Sequence, residues 1–314
     1  MGCLFRAIRN LFVAALFLCL VGGAYVGNRT YEAFREAPWD QLLGIENHGN
    51  DTRLIDRLER EEQWRPVTVT AADGLRLRGT YIENEEYTAH TVVLLHGLYQ
   101  NRGMCLPYIP MYKQLGYNIL LVDLRGHGES EGRHTDWGLT ETSDMDAWFA
   151  WLKEQDRAMQ IGLHGVSLGA AMALLYAGEK DNVQPDFVIA DSAYGNIPSL
   201  GREKLLRWSG DERLLWGYTV LEPFFQGAMF IRTGKVLADI EPAHAARSIH
   251  VPILFLHGEA DTLVPVQTAY ALYDSCGSND KHIWIFPASP HAAGIETDRA
   301  AYEEKVINFL EEHK

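Results

Sequence analysis

Ile161-Gly162-Leu163-His164 is followed by Gly165-Val166-Ser167-Leu168-Gly169 and then by Ala170-Ala171-Met172-Ala173-Leu174-Leu175-Tyr176-Ala177. The first four residues read as a short buried strand, and the last eight as a helix of small residues that packs closely on its neighbours. Between them stands G-x-S-x-G in the strand–turn–helix context that presents a serine at the tip of a sharp turn. The glycines have a steric reason. The serine backbone is strained there, and a side chain two residues to either side would strike the adjoining strand or helix. The stretch therefore predicts a nucleophile elbow at Ser167, which implies an open, mainly parallel sheet.

The rest of the chain fits that sheet. Val67–Thr70 and Leu75–Ile82 alternate around Asp73-Gly74, a hairpin signal. Further apolar runs follow at Thr91–Leu95, Tyr117–Val122, Phe187–Ala190, Pro252–Leu256 and His282–Phe286. Helical patterns separate them at Met104–Leu115, Thr140–Glu154, Val266–Ser275 and Asp298–Glu312. Strands rich in Val, Ile and Leu that alternate with helices predict a parallel α/β sheet covered on both faces. Gly195–Arg247 breaks this rhythm. It carries Trp208, Trp216, Phe224, Phe225 and Phe230, and reads as a helical insertion because it is too long for a loop.

A serine hydroxyl needs a base, and the base needs an acid to orient it. After an elbow serine the expected order is Ser, then Asp or Glu, then His. Asp261 follows the strand Pro252–Leu256, and His291 follows His282–Phe286, so both fall on loops at the same sheet edge as Ser167. The rival acids are Asp191 and Glu259, and the rival bases are His257 and His282. Charge developing on an attacked carbonyl calls for N–H donors. The Leu168 N–H opens the helix after the serine, and the Leu98 N–H in His96-Gly97-Leu98-Tyr99 is the expected second donor, with Tyr99 as its alternative.

Before this body lies Leu11–Val26, LFVAALFLCLVGGAYV, an uncharged run preceded by Arg6 and Arg9. It approaches the length of a membrane span. The expectation is a signal anchor over 1–27, a juxtamembrane connector over 28–65 and the catalytic domain over 66–314. Cationic residues before the run place the body outside the cytoplasm. Two alternatives stand beside it: a signal peptide cleaved near Gly22 and Ala24, giving a secreted protein, and a buried helix.

Composition narrows the chemistry. The 314 residues carry 42 acidic and 28 basic side chains, a net charge of −14, which disfavours nucleic acid as a partner. Four cysteines are too few for a disulfide framework. The sequence has no H-E-x-x-H, no zinc-spaced cysteine pair and no Walker loop, so neither a metal nor a cofactor is expected.

From Val67 to the C-terminus these residues resemble the α/β-hydrolase superfamily. Asp123-Leu124-Arg125-Gly126-His127-Gly128-Glu129-Ser130 looks like its D-x-R-G-H-G-x-S loop, and His257–Pro265 like its H-G-x-x-D-x-x-V-P acid loop. The chain is most similar to bacterial membrane-anchored members of the serine aminopeptidase/lysophospholipase-like group. The resemblance implies an α/β-hydrolase fold with a helical lid at 195–247. It also implies a serine hydrolase of carboxylic, acyl or lipid-like esters that works through an acyl-enzyme. A peptidase or amidase with the same triad, and a catalytically silent binding protein, are the alternatives.

Overall fold

The computed structural model describes residues 2–45, 51–156, 159–179 and 183–313. Eight strands form one sheet: β1 Arg65–Thr70, β2 Arg76–Ile82, β3 His90–Leu95, β4 Asn118–Val122, β5 Gln160–Val166, β6 Val188–Asp191, β7 Ile253–Gly258 and β8 Lys281–Phe286. The α-helices in chain order are α1 Gly2–Glu36, α2 Trp39–Leu43, α3 Arg53–Glu61, α4 Ile109–Gln114, α5 Glu141–Gln155, α6 Leu168–Gly178, α7 Ile197–Ser209, α8 Arg213–Thr233, α9 Pro242–Ala245, α10 Gln267–Ser275, α11 Gly294–Thr297 and α12 Arg299–Glu311. The chain forms two compact units, Met1–Ala37 with Pro198–Asp239, and Pro38–Ile197 with Ile240–Lys314.

The larger unit holds the whole sheet, in the order β1-β2-β4-β3-β5-β6-β7-β8. β1 pairs antiparallel with β2, and β2 with β4; every later pairing is parallel. The parallel α/β sheet expected from the apolar runs is therefore present. Its central strands are buried along their length, as in β4 and β6, because helices cover both faces. One expected helix differs. Met104–Leu115 divides into a 3₁₀ segment, Arg102–Tyr108, followed by α4. Pro107 lies inside the first piece and Pro110 at the start of the second, and a proline supplies no N–H to a helix interior.

α3 buries Ile55, while Leu54 stays exposed. Its acidic face is engaged too: Glu59 pairs with Arg78, and Asp56 with the fully buried Arg102. Residues 46–50 of the expected connector lie outside the described residues.

The smaller unit is α1 with the helices α7 and α8 of the insertion. α1 is one continuous helix of 35 residues, so residue 27 falls inside it. A Cβ at Gly27 would stand 2.1 Å from the Phe224 carbonyl oxygen, and one at Gly23 1.9 Å from the Phe224 ring. These two glycines, four apart on one helix face, open the groove that receives α8. Above them Phe225 packs against Tyr31 and Phe34 at ring-centroid distances of 6.0 and 5.4 Å. Arg232 binds Glu32 and Asn28. Tyr31 is 2% exposed and belongs to this packing, whereas Tyr25 is exposed.

Candidate active site

Ser167 stands where β5 gives way to α6. Its φ of 54° lies in the left-handed region, the strain read from G-x-S-x-G. A Cβ on Gly165 would lie 2.2 Å from the Gly169 carbonyl oxygen, and one on Gly169 2.2 Å from that of Leu95. The elbow is closed against both its own helix and the neighbouring β3, and only glycine leaves room.

Ser167 Oγ is 2.8 Å from His291 Nε2, and His291 Nδ1 is 2.7 Å from Asp261 Oδ2. With the Nδ1 proton donated to Asp261, Nε2 is left as the acceptor facing the serine hydroxyl. Asp261 Oδ1 accepts the N–H groups of Leu263 and Val264, each at 2.8 Å. Burial pushes the Asp261 carboxyl up, but hydrogen bonds from His257 and His291 together with the Val264 N–H outweigh it and hold the group well below the usual carboxylate range.

The rival acids and bases sit differently. Asp191 ends β6 and accepts from the hydroxyls of Ser192 and Tyr302, each at 2.9 Å. Burial dominates there and raises its carboxyl despite those bonds. Ser192 Oγ in turn accepts the Ala292 N–H at 3.1 Å, so Asp191 braces the loop that carries His291. The Glu259 carboxylate accepts the Ala288 N–H in that same loop. His282 pairs with Asp280 away from Ser167. His257, the other rival base, has its Nε2 3.1 Å from Asp261 Oδ2 and 2.9 Å from the Val264 carbonyl. This contact escaped sequence reasoning, although the four-residue spacing from His257 to Asp261 carried the signal.

The His96–Tyr99 loop follows β3. The Leu124 N–H donates to His96 Nε2 at 3.0 Å, which places the ring proton on Nδ1, where it donates to the Gly97 carbonyl at 2.7 Å. Burial drives the His96 imidazole down to about 3, so it remains neutral. The Gly97 N–H meets Met104 Sδ at 3.3 Å. Leu98 follows it, and a Cβ on Gly97 would be 3.6 Å from that of Ser167. On the other side Leu168 is the first residue of α6, a position whose N–H has no intrahelical partner. Tyr99, Ser167, Ser192, Ala288 and Ala292 all have φ between 54° and 58°. Backbone strain thus collects on the loops at this one sheet edge.

The Asp123–Ser130 loop acts from behind. Asp123 accepts from the backbone and guanidinium of Arg102 and from the Glu129 N–H. Arg125 makes a two-pronged ion pair with Asp144. Gly128 has φ 54°, and a Cβ there would stand 2.3 Å from the Asp123 carboxyl. This rigid turn presents the Leu124 N–H to His96, and so steadies the Gly97-Leu98 loop.

Ser167 and His291 border a cavity of about 390 Å³. Ile45, Leu98, Met104, Ala292 and Ala293 give it apolar walls, and Gln100 and Glu296 supply polar groups. A site of this size and lining suits an organic molecule of modest length. Among the described residues no group of three or more His, Cys, Asp or Glu side chains could hold a metal ion. Cys105 and Cys276 are both buried and free.

Two family models match the chain. That of the α/β hydrolase fold covers residues 90–190, which contain Ser167; that of serine aminopeptidase, S33, covers residues 222–298, which contain Asp261 and His291. The lysophosphatidylserine lipase ABHD12 of Danio rerio is 31% identical over 200 residues, 62% of this chain and 49% of that protein. The membrane protein YNL320W of Saccharomyces cerevisiae is 28% identical over 245 residues, 78% of each chain. Among solved structures, the esterase Pf2001 of Pyrococcus furiosus is 25% identical, with a TM-score of 0.65 over 81% of this chain and 94% of that one. With its sheet order, its elbow and these matches together, the chain has the α/β-hydrolase fold.

Proposed function

We propose that this protein is a membrane-anchored serine hydrolase that cleaves carboxylic esters of acyl or lipid-like type through an acyl-enzyme. The observation that carries the reading is the unbroken hydrogen-bond chain from Asp261 through His291 to Ser167 Oγ at the rim of an apolar cavity. His291 Nε2 takes the hydroxyl proton as Oγ attacks the acyl carbon. The N–H groups of Leu98 and Leu168 receive the negative charge that collects on the carbonyl oxygen. The tetrahedral species collapses as His291 returns the proton to the departing alkoxide, which leaves as the alcohol. A water molecule then gives its proton to His291 and attacks the acyl carbon, and the acid is released with Ser167 restored. Asp261 stabilises the imidazolium at each stage and keeps the ring in the productive tautomer. The chemistry draws on protein groups and water alone.

The ester preference is supported by the esterase and lysophospholipid lipase among the similar proteins. The serine aminopeptidase match favours a second reading, a peptidase or amidase using the same three residues. Labelling of Ser167 by a fluorophosphonate tests the serine mechanism, and absence of labelling in the folded protein would leave a silent binding fold. Turnover of acyl esters against aminoacyl amides separates the two enzymatic readings. A kcat/KM higher for the amides would reverse the assignment.

Anchoring is assigned to α1, whose span Leu4–Glu36 is apolar enough to cross a membrane and whose most apolar window is bare of protein contacts. Arg6 and Arg9 at its start orient the catalytic unit outside the cytoplasm. Protease added to intact cells checks the orientation: digestion of the body supports it, and complete protection refutes it.

A further inference from the structure

α8 is apolar around most of its circumference, with one side packed on its neighbours and the other bare. Trp216, Val220, Pro223, Gly227, Phe230 and Ile231 recur at intervals of four, three, four, three and one, so they form one stripe along the helix. All six are exposed, Trp216 at 76% and Ile231 at 83%. The stripe contains no charge. The charges of α8 are engaged elsewhere: Glu222 pairs with Arg202 of α7 at 3.1 Å, Arg232 pairs with Glu32 of α1 at 2.9 Å, and Arg213 at the helix start is held by Asp211. A contiguous apolar strip of this kind, left open to water, marks a surface that another apolar phase covers.

The position of the stripe points to that phase. Phe224 sits in the groove of Gly23 and Gly27, at the end of the uncharged run Leu11–Val26. Beyond it come Asn28, Arg29 and Glu32, where a chain leaving the hydrocarbon meets the headgroups. The bare side chains of α1 from Leu4 to Val21 thus precede the segment from Gly23 to Phe34 on which α8 packs. α8 does not itself qualify as a span: among the described residues only α1 is long and apolar enough. Glu222 and Pro223 stand at its middle. A helix that packs on a membrane span with one side, is bare and apolar on the other, and carries a tryptophan and terminal arginines fits the boundary between acyl chains and headgroups.

We propose that α8 is a second membrane contact, with Trp216, Val220, Phe230 and Ile231 immersed in the acyl-chain boundary of the leaflet from which α1 emerges. The proposal rests on reading α1 as a membrane helix, and the experiment separates the two claims. Single nitroxide labels are placed at Val13→Cys, Val220→Cys, Ile231→Cys and Glu85→Cys in the full chain carrying Cys3→Ser and Cys19→Ser. Each is reconstituted into vesicles of phosphatidylcholine and phosphatidylglycerol, and collisions with oxygen are compared with those of a water-soluble nickel complex. The expected result is an oxygen-to-nickel ratio at 220 and 231 that rises to the lipid value seen at 13, while 85 keeps the ratio of a water-exposed site. Water-like ratios at 220 and 231 with a lipid-like ratio at 13 overturn the proposal and leave the anchor standing. A water-like ratio at 13 as well removes the anchor and the proposal with it. Labels at 220 and 231 that are shielded from both reagents, with dipolar broadening lost in nanodiscs holding a single chain, identify a second copy on the stripe and also overturn it.

Discussion

Asp191 and Asp261 end or follow neighbouring strands of the same sheet edge, and both are buried, yet they are held in opposite ways. Asp261 receives two backbone N–H groups and two imidazoles. Asp191 receives two neutral hydroxyls. Desolvation raises both carboxyls, and only the donors around Asp261 reverse the sign. Depth of burial therefore does not identify the acid of a triad. The number and polarity of the donors aimed at its oxygens do, because they decide whether the negative charge persists when the imidazolium forms.

The contrast can be broken at several points. Ser167→Ala removes the group that the Asp261 arm serves, and kcat for an ester substrate is expected to fall about a million-fold, the scale of losing a serine nucleophile. Stopped turnover assays on the folded variant check this, and retained turnover would point to another nucleophile. Asp261→Asn leaves His291 in place with the wrong tautomer, and kcat is expected to fall about ten-thousand-fold. His257→Leu takes one charge-assisted bond from Asp261. Such bonds contribute about 1.5–3 kcal/mol, so a loss of about ten- to a hundredfold in kcat is expected, with KM unchanged. Asp191→Asn retains acceptors, its side chain bonds neither His291 nor Ser167, and the main-chain carbonyl that accepts the Ser167 N–H is unchanged, so kcat should change by less than about tenfold. If Asp191→Asn proves the more damaging of the two asparagine variants at matched stability, the roles assigned here are exchanged.

The smallest effect sharpens the same contrast through pH. The folded Asp261 carboxyl lies below its unfolded value of about 3.9, so the stability it contributes is present above that pH and is lost as pH falls through the acid range. The folded Asp191 carboxyl lies above its unfolded value, so its ionisation opposes folding and stability declines as pH rises from about 4. Thermal melts between pH 3 and 7 should show a shallower acid loss of Tm in Asp261→Asn, and a removed decline above pH 4 in Asp191→Asn. Changes of the same sign relative to the unmodified protein in both variants would contradict the opposite directions of the two shifts.

Much of the larger unit was legible in short windows of sequence. The elbow at Ser167 depends on residues within a few positions of one another, and φ there is a local property of strand, turn and helix. The strands were legible for the same reason: buried parallel strands are continuous apolar runs with turn residues between them. The order Ser, Asp, His and the loop placement of Asp261 and His291 come from reading those runs along the chain.

Other features needed the chain to be folded. Tyr302 reaches Asp191 across 111 positions, and Ala292 reaches Ser192 across 100. No local pattern encodes such a meeting, since it exists only once sheet order has brought the strand ends together. His257 could be read as a strand-end histidine until its ring was seen beside Asp261. Hydrophobicity fades at the expected boundary between anchor and connector at residue 27. The helix itself runs on to Glu36, and Tyr31 and Phe34 gain apolar contacts there from Phe225. Hydrophobic runs and glycine spacing act over a turn or two of backbone and are visible in sequence. Which donor meets which buried carboxylate, and which helix fills the groove at Gly23 and Gly27, is settled by packing between segments some two hundred residues apart, and tertiary structure alone decides it.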